Sequence, residues 1–184
     1  MPKTHSPKDQ SLVVSVRDIA RKPGTQKPHV RIVPAPAVLG TGVIGVREGS
    51  DLGLDLSLES VSEGIWVSGT AAAQAVGECA RCLDEVTVDI VAPVQGLFVC
   101  PDARSGGSGD DVDVHYFDGE NLDLEEVIRD AVVTSLPFIP LCDPGCPGLC
   151  DKCGVRLAND LEHHHDVVDP RWAALEGLTD KKEN

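Results

Sequence analysis

Leu52, Leu54, Leu56 and Leu58 alternate with Gly53, Asp55, Ser57 and Glu59, the period-two pattern of a strand with one buried face. Ser62-Glu63-Gly64 reads as a turn, and Ile65 to Val76 continues as a strand rich in small residues. Val86, Val88 and Ile90 repeat the alternation; Leu97-Phe98-Val99 ends that hairpin arm or forms a further short strand. Upstream, Leu12 to Val16 reads as a short strand and Asp18 to Lys22 as a helical turn stopped by Pro23-Gly24. Lys22 to Pro36, basic and proline-rich, reads as extended chain or loop. The connections are too short for helical crossovers, so antiparallel pairing is expected.

The period changes after residue 120. Leu124, Val127, Ile128, Ala131 and Val132 share one helical face, with Asp123 as expected N-cap, Glu126 three residues on, and Pro137 and Pro140 closing the helix. A shorter helix is expected from Asp169-Pro170 through Leu175, with Trp172 as a packing residue. Residues 101–111 have the composition of a flexible loop; Asp110, Asp111 and Asp113 lack any recognisable cation-loop pattern. These elements predict an α+β fold with an antiparallel β-rich body, followed by one amphipathic helix and a cysteine- and histidine-bearing C-terminal segment. The expected divisions are a disordered tail (1–10), the body with the first C-x2-C (11–117), the helix with the cysteine/histidine segment (118–178), and a tail (179–184).

The 184-residue chain is long enough to bury a core without covalent cross-links. It has no run of about 20 apolar residues, and Met1 to Lys8 lacks the apolar stretch of a secretory signal. A cytoplasmic protein is therefore expected, with reduced thiols that read as metal ligands. Charge divides unevenly: residues 1–50 carry eight Lys/Arg against three Asp/Glu, and the remainder carries 27 acids against eight bases, giving −14 in all. Such a body repels phosphate backbones and suits a basic partner such as a ribosomal protein. An aromatic content of 3% argues against a base-stacking surface.

Six of the seven cysteines fall in two places. Cys79-Ala-Arg-Cys82 is a C-x2-C between two strand-like segments, while Cys142-x3-Cys146-x3-Cys150-x2-Cys153-Gly154 joins further spacings. A C-x2-C turn lets two thiolates meet one metal, and four such donors close a tetrahedral zinc shell. A redox dithiol would open a helix in a βαβ setting, which neither pair has. The residues leave two divisions open. Cys79, Cys82, Cys142 and Cys146 bind one zinc, with Cys150 and Cys153 joined by two of His163, His164 and His165 on a second; or Cys79, Cys82, Cys150 and Cys153 form a zinc ribbon.

Glu78-Cys79-Ala80-Arg81-Cys82-Leu83, the helix ending Ser135-Leu136-Pro137, the run Leu141 to Gly154 and Asp169-Pro170-Arg171-Trp172-Ala173-Ala174-Leu175 resemble the YceD-like proteins of bacteria and plastids. The resemblance spans about residues 11–178 and implies a role in accumulation or processing of large-subunit ribosomal RNA, with no catalytic activity. Members retain the first C-x2-C and the Cys142/Cys146 positions while the second knuckle varies, which favours the first division. Many carry cysteines where this chain has His163 to His165; Cys100 matches nothing in that pattern. The expected metal ligands are thus Cys79, Cys82, Cys142, Cys146, Cys150, Cys153, His163 and His165, for one zinc or, if the histidines take part, two. The expected partner is a large-subunit ribosomal protein or ribosomal RNA precursor, with no membrane and no small-molecule substrate. A zinc hydrolase or nuclease would need a general base and a vacant position beside the metal, and no His-Glu-x-x-His helix is present. A zinc-stabilised transcriptional regulator would need a recognition helix, against which the acidic body also weighs.

Overall fold

Alternation along the leucine strand dictates the sheet. In the computed structural model, which describes residues 12–100, 114–160, 162–165 and 171, the strands are β1 (Val13–Ser15), β2 (Gln26–Pro34), β3 (Leu39–Gly40), β4 (Ile44–Val46), β5 (Asp51–Val61), β6 (Gly64–Glu78), β7 (Glu85–Val99), β8 (Val114–Tyr116) and β9 (Asn121–Asp123). The single α-helix among these residues, α1, is Glu125–Ser135. The tail at 1–10, the loop at 101–111 and the helix expected after Asp169 lie outside the described residues.

Two compact units divide between Cys142 and Asp143. In the first, β6 is the backbone of a seven-stranded sheet: β7 runs antiparallel along its whole length, while β5 and then β4 share its other edge. β2 flanks β5, β3 flanks β4, and β1 pairs with β9 in a separate two-stranded sheet. Leu52, Leu54, Leu56 and Leu58 are all buried, with Ile65, Val67, Ile90, Val94 and Phe98 on the same inner face. Helix α1 adds Val127, Ile128 and Val132 to this core. Burying each such side chain stabilises the fold by roughly 1.5–3 kcal/mol.

Several expectations need correction. The proline-rich stretch is a nine-residue strand, β2, on the sheet's edge, where Pro28 and Pro34 are tolerated because that side has no ladder to feed. β8 pairs with β7 in parallel, not antiparallel, fashion. Leu97-Phe98-Val99 follows the first of its two expected readings, ending the hairpin arm within one unbroken strand, β7. The helix N-cap is Leu124, not Asp123, and makes no side-chain cap. Asp123 acts from one position earlier, its Oδ1 accepting the Glu125 N–H at 3.1 Å. At the other end Leu136 turns extended (ψ 142°), as the following proline requires.

These features aim two segments at one place. The β6–β7 hairpin closes through residues 79–84, so the first C-x2-C is its tip. The chain leaving α1 runs past it, and the Ala80 N–H donates to the Pro140 carbonyl at 2.8 Å.

The described residues of the second unit are built on turns. Leu149 and Arg156 form an antiparallel bridge, the Leu157 N–H donates to Gly148 O at 3.0 Å, and Leu157–Asn159 makes one 3₁₀ turn.

Candidate metal centres

Both C-x2-C segments fold into the same knuckle. In the first, the Leu83 N–H returns to Cys79 O at 2.9 Å and the Cys79 N–H donates to Asp84 O at 2.7 Å. In the second, the Gly154 N–H returns to Cys150 O at 2.9 Å and the Cys150 N–H donates to Val155 O at 2.8 Å. Closing the turn requires a left-handed residue after the second cysteine. Gly154 supplies it at φ 72°, but in the first knuckle the position holds Leu83 at φ 62°. A leucine there is strained by about 1–2 kcal/mol. Its exposed side chain offers little packing in return. Leu83→Gly is therefore expected to raise stability by about 0.5–1 kcal/mol, measured by urea unfolding; a loss of stability would contradict the strain.

The knuckle turns backbone N–H groups onto sulfur. The N–H groups of Cys142, Cys82 and Arg81 face the Cys79 thiol and bring its pKa down to about 6. At Cys150 the N–H groups of Lys152 and Cys153, followed by the His163 ring, lower the pKa to about 6 as well. Hydrogen bonds to the charged form favour it, and the thiolate is the form that binds metal. A lowered pKa puts the reactive anion above about 6 rather than above about 8.5. In metal-free protein, alkylation of Cys150 by iodoacetamide should accordingly reach half its plateau rate near pH 6. A midpoint above pH 8 would show that these N–H groups do not reach the sulfur.

Further donors complete each group. Cys79, Cys82 and Cys142 in the first unit hold their sulfur atoms within 4.8 Å of one another, with 3.5 Å between Cys82 Sγ and Cys142 Sγ. In the second unit Cys150, Cys153, His163 and His165 meet the same limit. Cys153 Sγ lies 3.2 Å from His163 Nε2 and 3.3 Å from His165 Nε2, and the two ring nitrogens are 2.9 Å apart. A tetrahedral zinc with bonds of about 2.3 Å to sulfur and 2.0–2.1 Å to nitrogen sets sulfurs about 3.8 Å apart and nitrogens about 3.3 Å apart. The Cys82–Cys142 and His163–His165 separations fall a few tenths of an ångström inside those edges, and the remaining donors lie within 4.8 Å, so soft and borderline donors converge on a volume that suits the ion.

Of the two divisions left open by the sequence, the second unit's quartet is the geometry of the first. Cys150 and Cys153 meet His163 and His165, and the set is complete within its own unit. His164 is turned away, its Nδ1 lying 2.9 Å from the Glu162 carbonyl. Cys146 closes the second unit's first turn, its N–H donating to Asp143 O at 3.0 Å. Cys100 stands in neither group. Leu83 and Asp84 escaped the sequence reading. The signal available for them was their alignment with Gly154 and Val155 behind an identical C-x2-C.

Comparison with known proteins gives the chain's family. The family described as Large ribosomal RNA subunit accumulation protein YceD matches residues 67–179, a span that holds both knuckles. Uncharacterized proteins of Mycobacterium bovis and Mycobacterium tuberculosis are each 42% identical over 180 residues, covering 95% of this chain and 87% of their own length. One from Mycobacterium leprae is 39% identical over 165 residues, 89% of this chain and 76% of its own. No solved structure matches the chain.

Proposed function

Since the chain belongs to the YceD family of large ribosomal RNA subunit accumulation proteins, we propose that it is a non-catalytic, zinc-binding cytoplasmic factor. It supports accumulation of that RNA by holding a large-subunit ribosomal protein during assembly. The observation that carries this reading is the pair of cysteine/histidine groups, whose donors suit zinc. Cys79, Cys82, Cys142 and Cys146 would hold one ion. Cys146 is the fourth donor of that proposed set, four residues beyond Cys142 in the sequence. Cys150, Cys153, His163 and His165 would hold the second. Four protein donors fill a tetrahedral shell, so zinc bound here supplies folding energy and leaves no position for substrate.

A protein partner fits the charges better than RNA does. In the basic N-terminal stretch, the Arg17 guanidinium is paired with Glu120, and Lys27 Nζ contacts Asp18 Oδ1 at 3.0 Å. Among the described residues no helix is long and apolar enough to cross a membrane. The test is depletion of the protein in its host, with large- and small-subunit ribosomal RNA quantified side by side, and affinity capture before and after ribonuclease. The expected result is a falling large-to-small ratio and a ribosomal protein retained after ribonuclease. An unchanged ratio, or ribosomal RNA alone recovered, would overturn the reading.

A further inference from the structure

Resting on that reading of a protein-binding factor, we infer that the outer face of the β2-β5-β6-β7 sheet is the docking surface for a lysine- and arginine-rich protein segment. Register defines the face. Ile32, Gly53, Ala72 and Val91 lie side by side across the four strands, and Val30, Asp55, Thr70 and Pro93 form the next row. These rows stand opposite the leucine face and carry no covering element among the described residues: Ile32 is 74%, Val30 69% and Val91 66% exposed. Trp66 joins them at the hairpin end.

Charge on this face has one sign. Asp51, Asp55, Glu59, Glu78, Glu85 and Asp89 point outward, while none of the four strands places a lysine, arginine or histidine there. The bases of β2, Lys27 and Arg31, alternate onto the other side. At one end a cation reaches in, where Arg47 contacts Glu85 at 3.1 Å. Where Ser57, Ser68 and Thr70 are small, an open depression of about 590 Å³ lies over β2, β5 and β6, with Pro28 and Asp55 among its lining. That combination suits an arginine or lysine: the alkyl stem lies on Val30 and Pro28 and the charged head meets Asp55. A phosphate backbone would meet six carboxylates and be repelled.

The experiment uses the zinc-loaded full chain and two probes: a synthetic 12-residue peptide of alternating arginine and leucine, and salt-extracted large-subunit ribosomal proteins. The Asp55→Lys, Glu59→Lys, Asp89→Lys triple variant is compared with wild type and with Glu48→Lys, Asp130→Lys, Asp151→Lys, which changes net charge equally off the face. Circular dichroism confirms that each variant is folded. On-face reversal should weaken peptide binding on the order of tenfold or more. The off-face control should change it less than about threefold, a screened long-range effect. Ile32→Ser with Val91→Ser, which leaves the charge alone, should also weaken it. Equal losses in both reversals, or none in the on-face variant, would overturn the docking surface. If the ribosomal proteins bind wild type and on-face variant alike, the surface falls while the proposed function stands. If the peptide binds through the face and no ribosomal protein binds at all, the surface stands and the ribosomal reading falls.

Discussion

Cys79→Ser, Cys82→Ser, Cys142→Ser and Cys146→Ser are each expected to lower the melting temperature of the zinc-loaded protein by on the order of 10 °C or more. Under the proposed pairing each removes a donor from one shell, and structural zinc sites in general contribute on the order of 10 kcal/mol of apparent binding free energy, which is folding energy where the site forms only on folding. Cys79 is the tip of the β6–β7 hairpin, and Cys142 lies just past the α1 exit that the Ala80 N–H holds through Pro140 O. Losing the ion therefore loosens both the hairpin tip and the chain that follows the helix. Cys100→Ser should shift the melting temperature by no more than about 2 °C, since that thiol stands in neither group. Scanning calorimetry of the five variants decides the matter. A Cys79→Ser protein melting with wild type would contradict the first site.

The second large effect separates the two ions. Cys150→Ser and His163→Ala should each cut bound zinc from about two per chain to about one. The far-ultraviolet spectrum of the sheet should stay as it is, because the Cys150 quartet is complete within the second unit. Under a zinc ribbon joining the two knuckles, Cys150→Ser would instead behave as Cys79→Ser does and Cys146→Ser would not. That pattern in the calorimetry and metal content would reverse the division argued above.

How far the sequence alone leads depends on how many independent constraints act at each residue. Burial on one side forced the leucines of β5 into strict alternation, so strand, face and core were legible together. β2 is different. At the sheet edge Val30 and Ile32 alternate with His29 and Arg31 but face outward, while Lys27 and Arg31 lie on the rim of the inner face, so the alternation points away from the core and the prolines at 28 and 34 speak against a strand. The parallel pairing of β8 rests on three residues and a long connection, which leaves no periodic trace. Asp123 was recognised as a capping residue, but its side chain works from β9, one place before the cap. At the metal centres the donors were legible from spacing, because a C-x2-C turn dictates its own geometry. Their grouping was not, since it depends on where the turns at 143–146 and 160–163 aim the chain. Leu83 shows the opposite failure: its left-handed backbone contradicts its residue type, and only the parallel with Gly154 could have revealed it.

The claim on which the rest stands is that these thiolates and imidazoles hold zinc in two closed shells. Elemental analysis of protein purified reduced and without chelator, quantified against sulfur in the same sample, tests it most directly. About two zinc ions per chain is the result predicted from the two four-donor groups; well under one would contradict it.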